Sequence, residues 1–240
     1  MDYNYFIEAA TGDGKDSKET RRLLADCFAD VSTKIDCLHC PGDPLHMADD
    51  ALRNQSLDGP IVEFGCFQGG MSCKLSKVAS ILGRKMMIFD SFAGLRENGT
   101  YETFPTIPQM LGTFRKGQFA CGRDVVEENL RLHGAHEVCE LIEGPIEQTI
   151  QQTEIEPSLV FIDVDIVSTA LCVIKKMWPR IQNRKLFTHE ACIKGYMEQV
   201  CDKNWWWLFF RTEVPRLGSE EWGTEFGLPG SVCLNYFLKP

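Results

Sequence analysis

Short apolar runs recur through residues 61–188, and each stops at an acid, a glycine or a histidine before a stretch of helical spacing begins. Runs at 61–64, 85–89, 138–142, 159–162 and 185–188 are too short for buried helices and carry β-branched and aromatic residues, so they predict strands. Between and after them, apolar positions return at helical spacing over 72–82, 124–132, 169–177 and 193–202. Near-continuous apolar strands alternating with helices predict a mostly parallel sheet covered on both faces. Two β-rich runs, 205–212 and 231–238, close the chain without a helical pattern between them and predict an antiparallel hairpin.

Upstream the pattern differs. Residues 1–19 are polar and contain glycine, and predict a frayed end. Residues 20–36 and 45–56 have helical spacing, separated by the breakers Pro41, Gly42, Asp43 and Pro44. The expected organisation is a small helical N-terminal cap over 1–57 on an α/β domain over 58–240. Residues 93–120 have no clear period, and so long a loop inside a domain is usually functional or mobile.

The strand ends carry the candidate chemistry. Glu63, Gly65, Phe67, Gly69, Gly70 and Ser72 lie on an acid–glycine turn between strand and helix. Asp90, Ser91 and Phe92 end the next strand, close to the roughly 20-residue offset at which an acid meets a ribose diol. A pyrophosphate would be repelled by Glu63, whereas a ligand with a sulfonium and an amino group suits it; S-adenosylmethionine is the expected cofactor. Gly144 and Ile146 follow the third strand, where an adenine ring would lie. Asp163 ends the fourth strand, and His189 with Glu190 ends the fifth. Two carboxylates and an imidazole make a divalent-cation site for magnesium, manganese, iron, cobalt or zinc, with Asp163 and His189 the catalytic candidates.

Composition narrows the classes. A formal charge of −9 without a basic run argues against a nucleic-acid partner. No apolar stretch reaches the roughly 18 residues of a membrane span, and the N-terminus lacks the form of a secretion signal. The expectation is a cytoplasmic enzyme with a small-molecule acceptor and no membrane partner; a homo-oligomer stays open. Eleven cysteines read as reduced, mostly buried thiols, and Cys37-Leu38-His39-Cys40 reads as packing, because no second pair follows at zinc spacing.

From about Gly59 to Val200 these motifs resemble the macrocin O-methyltransferase family. Val62 to Gly70 is similar to V-E-x-G-V-W-R-G-G, and Asp90-Ser91-Phe92-Ala93-Gly94 to D-S/T-F-x-G. Val125–Leu130 with Gly144 and Thr149 resembles V-x-x-N-L and G-x-x-x-x-T, and Asp163 to Thr169 resembles D-x-D-x-Y-x-S-T. The resemblance implies a Rossmann-like Class I methyltransferase fold and S-adenosylmethionine-dependent methylation of sugar hydroxyls. It also implies magnesium on Asp163 and on an acid pair whose place is taken here by His189 and Glu190. The family's Trp-Arg in the first loop is Phe67-Gln68, and its Gly-Gly before the fifth strand is Asn183-Arg184. An imidazole donor shifts preference from magnesium towards softer transition metals. The alternatives are metal-independent transfer to nitrogen, carbon or a carboxylate, and a metal enzyme reusing the scaffold without methyl transfer.

Overall fold

The computed structural model describes residues 2–12, 14–96, 116–189, 194–218 and 234–239. Three N-terminal helices come first: α1 (Tyr3–Glu8), α2 (Lys18–Lys34) and α3 (Gly42–Arg53). Then follow β1 (Ile61–Phe64), α4 (Gly70–Leu82), β2 (Met86–Asp90), α5 (Arg123–His133), β3 (Cys139–Glu143) and α6 (Ile146–Thr149). The second half runs β4 (Leu159–Ile162), α7 (Val167–Met177), β5 (Lys185–Thr188), α8 (Lys194–Val200), α9 (Lys203–Phe210), β6 (Arg216–Leu217) and β7 (Asn235–Leu238).

The sheet has seven strands in the order β3-β2-β1-β4-β5-β7-β6. The first five pair in parallel, and β7 is antiparallel to both β5 and β6. This is the Rossmann-like arrangement expected from the alternating pattern. The direction of winding reverses between β1 and β4, which places the natural ligand crevice at the carboxyl ends of the strands on either side.

Alternation along β1 separates two cores. Ile61 faces a cluster that contains α4 and the N-terminal helices; Val62 and Phe64 face a cluster with α7, Tyr196 and Trp206. Phe6, Leu24, Phe28, Leu45 and Leu52 are buried in the same cluster as Ile61, Met86 and Phe161. The N-terminal helices therefore complete one face of the sheet.

A buried ion cluster fastens that layer. Arg21 is fully enclosed; its Nε meets Asp16 Oδ1 at 2.5 Å, its Nη2 meets Asp49 Oδ1 at 2.8 Å, and its Nη1 donates to the Phe6 carbonyl at 2.9 Å. Burial alone would push the Asp16 carboxyl up, but Arg21 and Thr11 outweigh it and hold the pKa below the ordinary value. Asp50 on α3 accepts from the Asn183 amide and lies 3.0 Å from Lys185 Nζ. Asn183 thus ties α3 to the start of β5, which gives a structural use to a side chain where the resembling family has glycine.

Two expectations are corrected. The N-terminus is not frayed over its whole length. Asp2 caps α1 by accepting from the Tyr5 N–H at 2.7 Å, and Phe6 is buried. Residues 203–210 form a helix, not a strand. Asp202 Oδ1 accepts from the Trp205 N–H at 2.8 Å as an N-cap, Trp206 is buried with its Nε1–H donated to Val200 O at 2.7 Å, and Arg211 ends the helix at φ 57°. A continuous aromatic run has no period to read, so the cap decided the outcome. Besides β5, the strand that pairs with β7 is the short β6. Most of the long aperiodic loop, 97–115, lies outside the described residues.

Among the described residues the cysteines are free, but only Cys66 and Cys73 are buried and the others are partly exposed, which corrects the expectation of mostly buried thiols. No helix among the described residues is long and apolar enough to cross a membrane.

Removing the guanidinium would leave Asp16 enclosed without its cation, while Asp49 would keep only Arg53, whose Nε lies 2.9 Å from its carboxylate. Arg21→Ala is expected to cost about 3–5 kcal/mol of stability in urea denaturation. With Asp16 held below its unfolded pKa, its contribution is present at neutral pH and is lost as pH falls through the folded value. The gap between wild type and Arg21→Ala should therefore narrow in acid.

Candidate active site at the strand ends

Ladder hydrogen bonds continue one residue past the parallel strands and set the site residues side by side. The Gly65 N–H donates to Phe89 O at 2.9 Å, Asp163 N–H to Phe64 O at 2.8 Å, His189 N–H to Ile162 O at 2.9 Å and Gly144 N–H to Asp90 O at 3.0 Å. The strand order then gives a row across the crevice: Gly144, Asp90, Gly65, Asp163, His189.

Gly65 sits at the middle of this row with φ +85°. A Cβ there would lie 1.9 Å from the Asp163 carbonyl oxygen. Its freedom is required first by contact between two strand ends, not by a ligand; sequence spacing suggested the turn but not this neighbour. Gly70 opens α4 against Cys37, whose Cβ would be 3.0 Å from an added methyl group. Gly69 (φ +82°) and Gly144 (φ +137°) complete the tight turns. Phe67 and Phe92 hold left-handed backbone at φ 49° and 53°, a strained state for aromatic residues that clusters at functional sites.

The carboxylates play different parts. Asp90 Oδ2 accepts from the Cys66 N–H at 2.7 Å and Oδ1 from the Phe92 N–H at 2.8 Å, so it holds both glycine-containing loops. Ser91 shapes the second loop, accepting from Ala93 N–H and donating to Gly94 O, both at 3.2 Å. Ile146 is buried among the core residues beyond β3.

Glu63 is fully buried, and Ser72, also fully enclosed, donates to its Oε2 at 2.5 Å. Its Oε1 has no hydrogen-bond partner among the described residues. Burial pushes the Glu63 carboxyl up to about 8. An enclosed, half-satisfied acid next to a glycine loop fits the cationic end of an amino-acid-bearing ligand.

Asp163 and His189 do converge, and a third residue joins them. His39 Nε2 lies 2.8 Å from Asp163 Oδ2, and His189 Nδ1 lies 3.2 Å from Asp163 Oδ1. The two imidazole centroids are 4.5 Å apart. His39 Nδ1 meets Cys37 Sγ at 3.2 Å; His189 Nε2 lies 3.8 Å from Asp43 Oδ2, and Asp43 accepts from the Cys40 N–H at 3.0 Å.

Burial would lower the His39 pKa, but Asp163 outweighs it and raises it to about 10. Asp163 is likewise held far below the carboxylate range by the two histidines despite its burial. Burial would raise the Cys37 thiol, yet His39 and Lys74 bring it down to about 7. Glu190 lies outside the described residues.

Sequence reasoning noticed His39 only as the residue inside a C-x-x-C and read the segment as packing. Its partner is 124 positions away. The single local signal was a histidine just before a Pro-Gly-Asp-Pro break, too weak to assign a role.

A family model described as macrocin O-methyltransferase (TylF) matches residues 42–187. The chain belongs to the macrocin O-methyltransferase family. A search by sequence among curated proteins gives no significant match. Solved structures share the architecture. The O-methyltransferase NovP superposes with a TM-score of 0.61 at 12% identity, covering 99% of each chain. The calicheamicin methyltransferase CalS11 does so with a TM-score of 0.54 at 17% identity, covering 97% of this chain and 96% of its own. As a macrocin O-methyltransferase family protein, this chain is an S-adenosylmethionine-dependent enzyme that methylates small-molecule hydroxyls.

Two variants test the row. Gly65→Val should lower stability by about 3 kcal/mol or more in thermal or urea unfolding, because its Cβ collides with backbone that has no freedom to move aside.

Glu63 gives a pH signature of the opposite sign to Asp16. An unfolded carboxyl ionises near 4.5, whereas the folded one does so near 8. The folded state therefore keeps a proton that the unfolded state loses, and stability from this group falls as pH rises through that window. Ligand-free Glu63→Gln should be more stable than wild type at pH 8.5, by roughly 4 kcal/mol, and near wild type at pH 4.5.

Proposed function

We propose that this enzyme methylates a hydroxyl of a sugar or sugar-bearing natural-product intermediate, with the cofactor on the β1–β2–β3 side of the crevice and the acceptor on the β4–β5 side. The observation that carries the cofactor half is the buried Oε1 of Glu63, an unpartnered acid beside the glycine loop. Glu63 would face the amino-acid end of S-adenosylmethionine, behind the turn made by Gly65, Phe67, Gly69 and Gly70. Asp90 lies one strand over and would take the ribose, with Ser91 and Phe92 shaping its loop. Gly144 and Ile146 would border the adenine. When bound, the cofactor supplies an electrophilic methyl group on its sulfonium.

The chain's own work is to bring a hydroxyl to that methyl in line and to accept its proton. At the acceptor end Asp163 and His189, with His39, form a hydrogen-bonded set able to hold a hydroxyl and move its proton onto an imidazole nitrogen or the Asp163 carboxylate. Residues 1–57 bring His39 to this end. The family resemblance implies magnesium here. Two imidazoles and one carboxylate do not suit that ion, which takes oxygen ligands. No step is assigned to it.

Calorimetry tests the cofactor half. S-adenosylmethionine and its demethylated product should bind in the micromolar range, roughly −8 kcal/mol. Asp90→Ala should lose about 1.5–3 kcal/mol of this, and some stability too, because Asp90 also holds two backbone N–H groups. Near pH 7 binding should release protons to the buffer, as the ligand's ammonium draws Glu63 into its ionised form; repeating the titration in buffers of different ionisation heat measures that release, and it should vanish in Glu63→Gln. Transfer of labelled methyl to a panel of sugar nucleotides and glycosylated aglycones tests the acceptor half. A well-folded protein that binds neither adenosyl ligand would sink the proposal.

A further inference from the structure

We propose that His39, Asp163 and His189 form a metal site that takes a transition ion such as zinc, cobalt(II), iron(II) or manganese in preference to magnesium. The family match does not supply this: both imidazoles lie outside the matched span of 42–187. Each of the three residues offers one donor atom, and these atoms lie within 4.8 Å of one another. Asp163 already stands 2.8 Å from one imidazole nitrogen and 3.2 Å from the other. Donor atoms around one ion at about 2.0–2.2 Å sit roughly 3–4 Å apart, so the cluster closes on an ion with a shift of about 1 Å or less in its widest pair.

The outer layer supports the same reading. A metal-binding histidine commonly gives its second ring nitrogen to a carboxylate, carbonyl or water, which fixes the ring and the tautomer. Here a thiol stands in that place for His39 at 3.2 Å, and for His189 a carboxylate lies 3.8 Å away. His39 turns Nε2 to Asp163 and Nδ1 to Cys37 Sγ; His189 turns Nδ1 to Asp163 and Nε2 towards Asp43. Asp43 is itself fixed by the Cys40 N–H. The segment Cys37–Asp43 thus supplies one inner donor and two outer contacts. The C-x-x-C lies around this arrangement as support, with Cys37 as an orienting group and not a ligand.

Donor chemistry selects the ion. Imidazole suits zinc, iron, cobalt and copper, while magnesium takes oxygen ligands and gives up its water reluctantly. Two imidazoles with one carboxylate leave positions open on the ion. The inference stands on the donor geometry alone and goes beyond the methyl-transfer reading, with which it shares the acceptor end of the crevice.

The test is a titration of the full chain, stripped with chelator and dialysed, with cobalt(II), zinc and magnesium chlorides. Visible absorption and calorimetry give the readouts, and binding of S-adenosylhomocysteine is measured in parallel. One cobalt or zinc ion should bind at least about 100-fold more tightly than magnesium. The cobalt complex should show d–d bands without a thiolate charge-transfer band. His39→Ala and His189→Ala should each weaken cobalt binding about 100-fold or more. Cys37→Ser and Asp43→Asn should each weaken it about 10-fold, as outer contacts do. All four should still bind S-adenosylhomocysteine; if His39→Ala fails to fold, His39→Gln carries the same expectation.

The proposal is overturned if no ion binds, if magnesium binds as tightly as zinc, if a thiolate band appears, or if replacing His39 leaves cobalt affinity and spectrum unchanged. Loss of adenosyl-ligand binding by the wild type would count against the methyl-transfer reading and leaves the metal titration to be judged by itself.

Discussion

The backbone of Gly65 lies so close to the carbonyl of Asp163 that no other residue fits between them. This contact joins β1 to β4 at the point where the winding of the sheet reverses, and the ladder bond from Asp163 N–H to Phe64 O secures it from the other side. The acid–glycine turn that begins α4 and the acid that begins the β4 loop are therefore held as one unit. Asp90 is linked to that unit through the Cys66 N–H, His189 through its ladder bond to Ile162, and His39 through Asp163. A displacement at Gly65 would reach every charged group in the crevice.

The two sides of this contact are stabilised in contrasting ways. At the end of β4 the Asp163 carboxylate is met by an imidazole on each oxygen. In β1 Glu63 is buried with one oxygen unpartnered among the described residues, a cost that a cationic group placed there would relieve. Part of the affinity for such a ligand would then come from removing a strain of the fold. Such a site trades stability for binding, as functional positions often do.

Much of the fold was legible because local demands and global pattern agree. Five apolar runs of strand length, each closed by glycine or a polar residue, leave little choice but a parallel sheet, and Glu63, Gly65, Asp90, Asp163 and His189 fell on its ends. The helix at 203–210 was missed because six aromatic and apolar residues in a row favour strands by propensity, while the deciding N-cap on Asp202 is one side-chain bond. His39 was missed for a different reason. Its role exists only through a partner 124 residues away, and no spacing rule reaches that far. The purpose of Gly65 was half read: the turn follows from the sequence, but the collision with Asp163 O is visible only in three dimensions.

The participation of the N-terminal segment has a consequence for biosynthesis. A ribosome adding roughly 5–20 residues per second exposes His39 about 6–25 s before Asp163 exists to receive it. Over that interval the apolar faces of α2 and α3 have only part of a sheet to cover, since Ile61 and Met86 of their shared cluster are made before Phe161. The nascent chain is then at its most adhesive, and His39 is also without its partners Asp163 and His189. The order of synthesis thus keeps the crevice incomplete until β4 and β5 have been made, so a prematurely terminated product lacks the cluster of His39, Asp163 and His189 altogether.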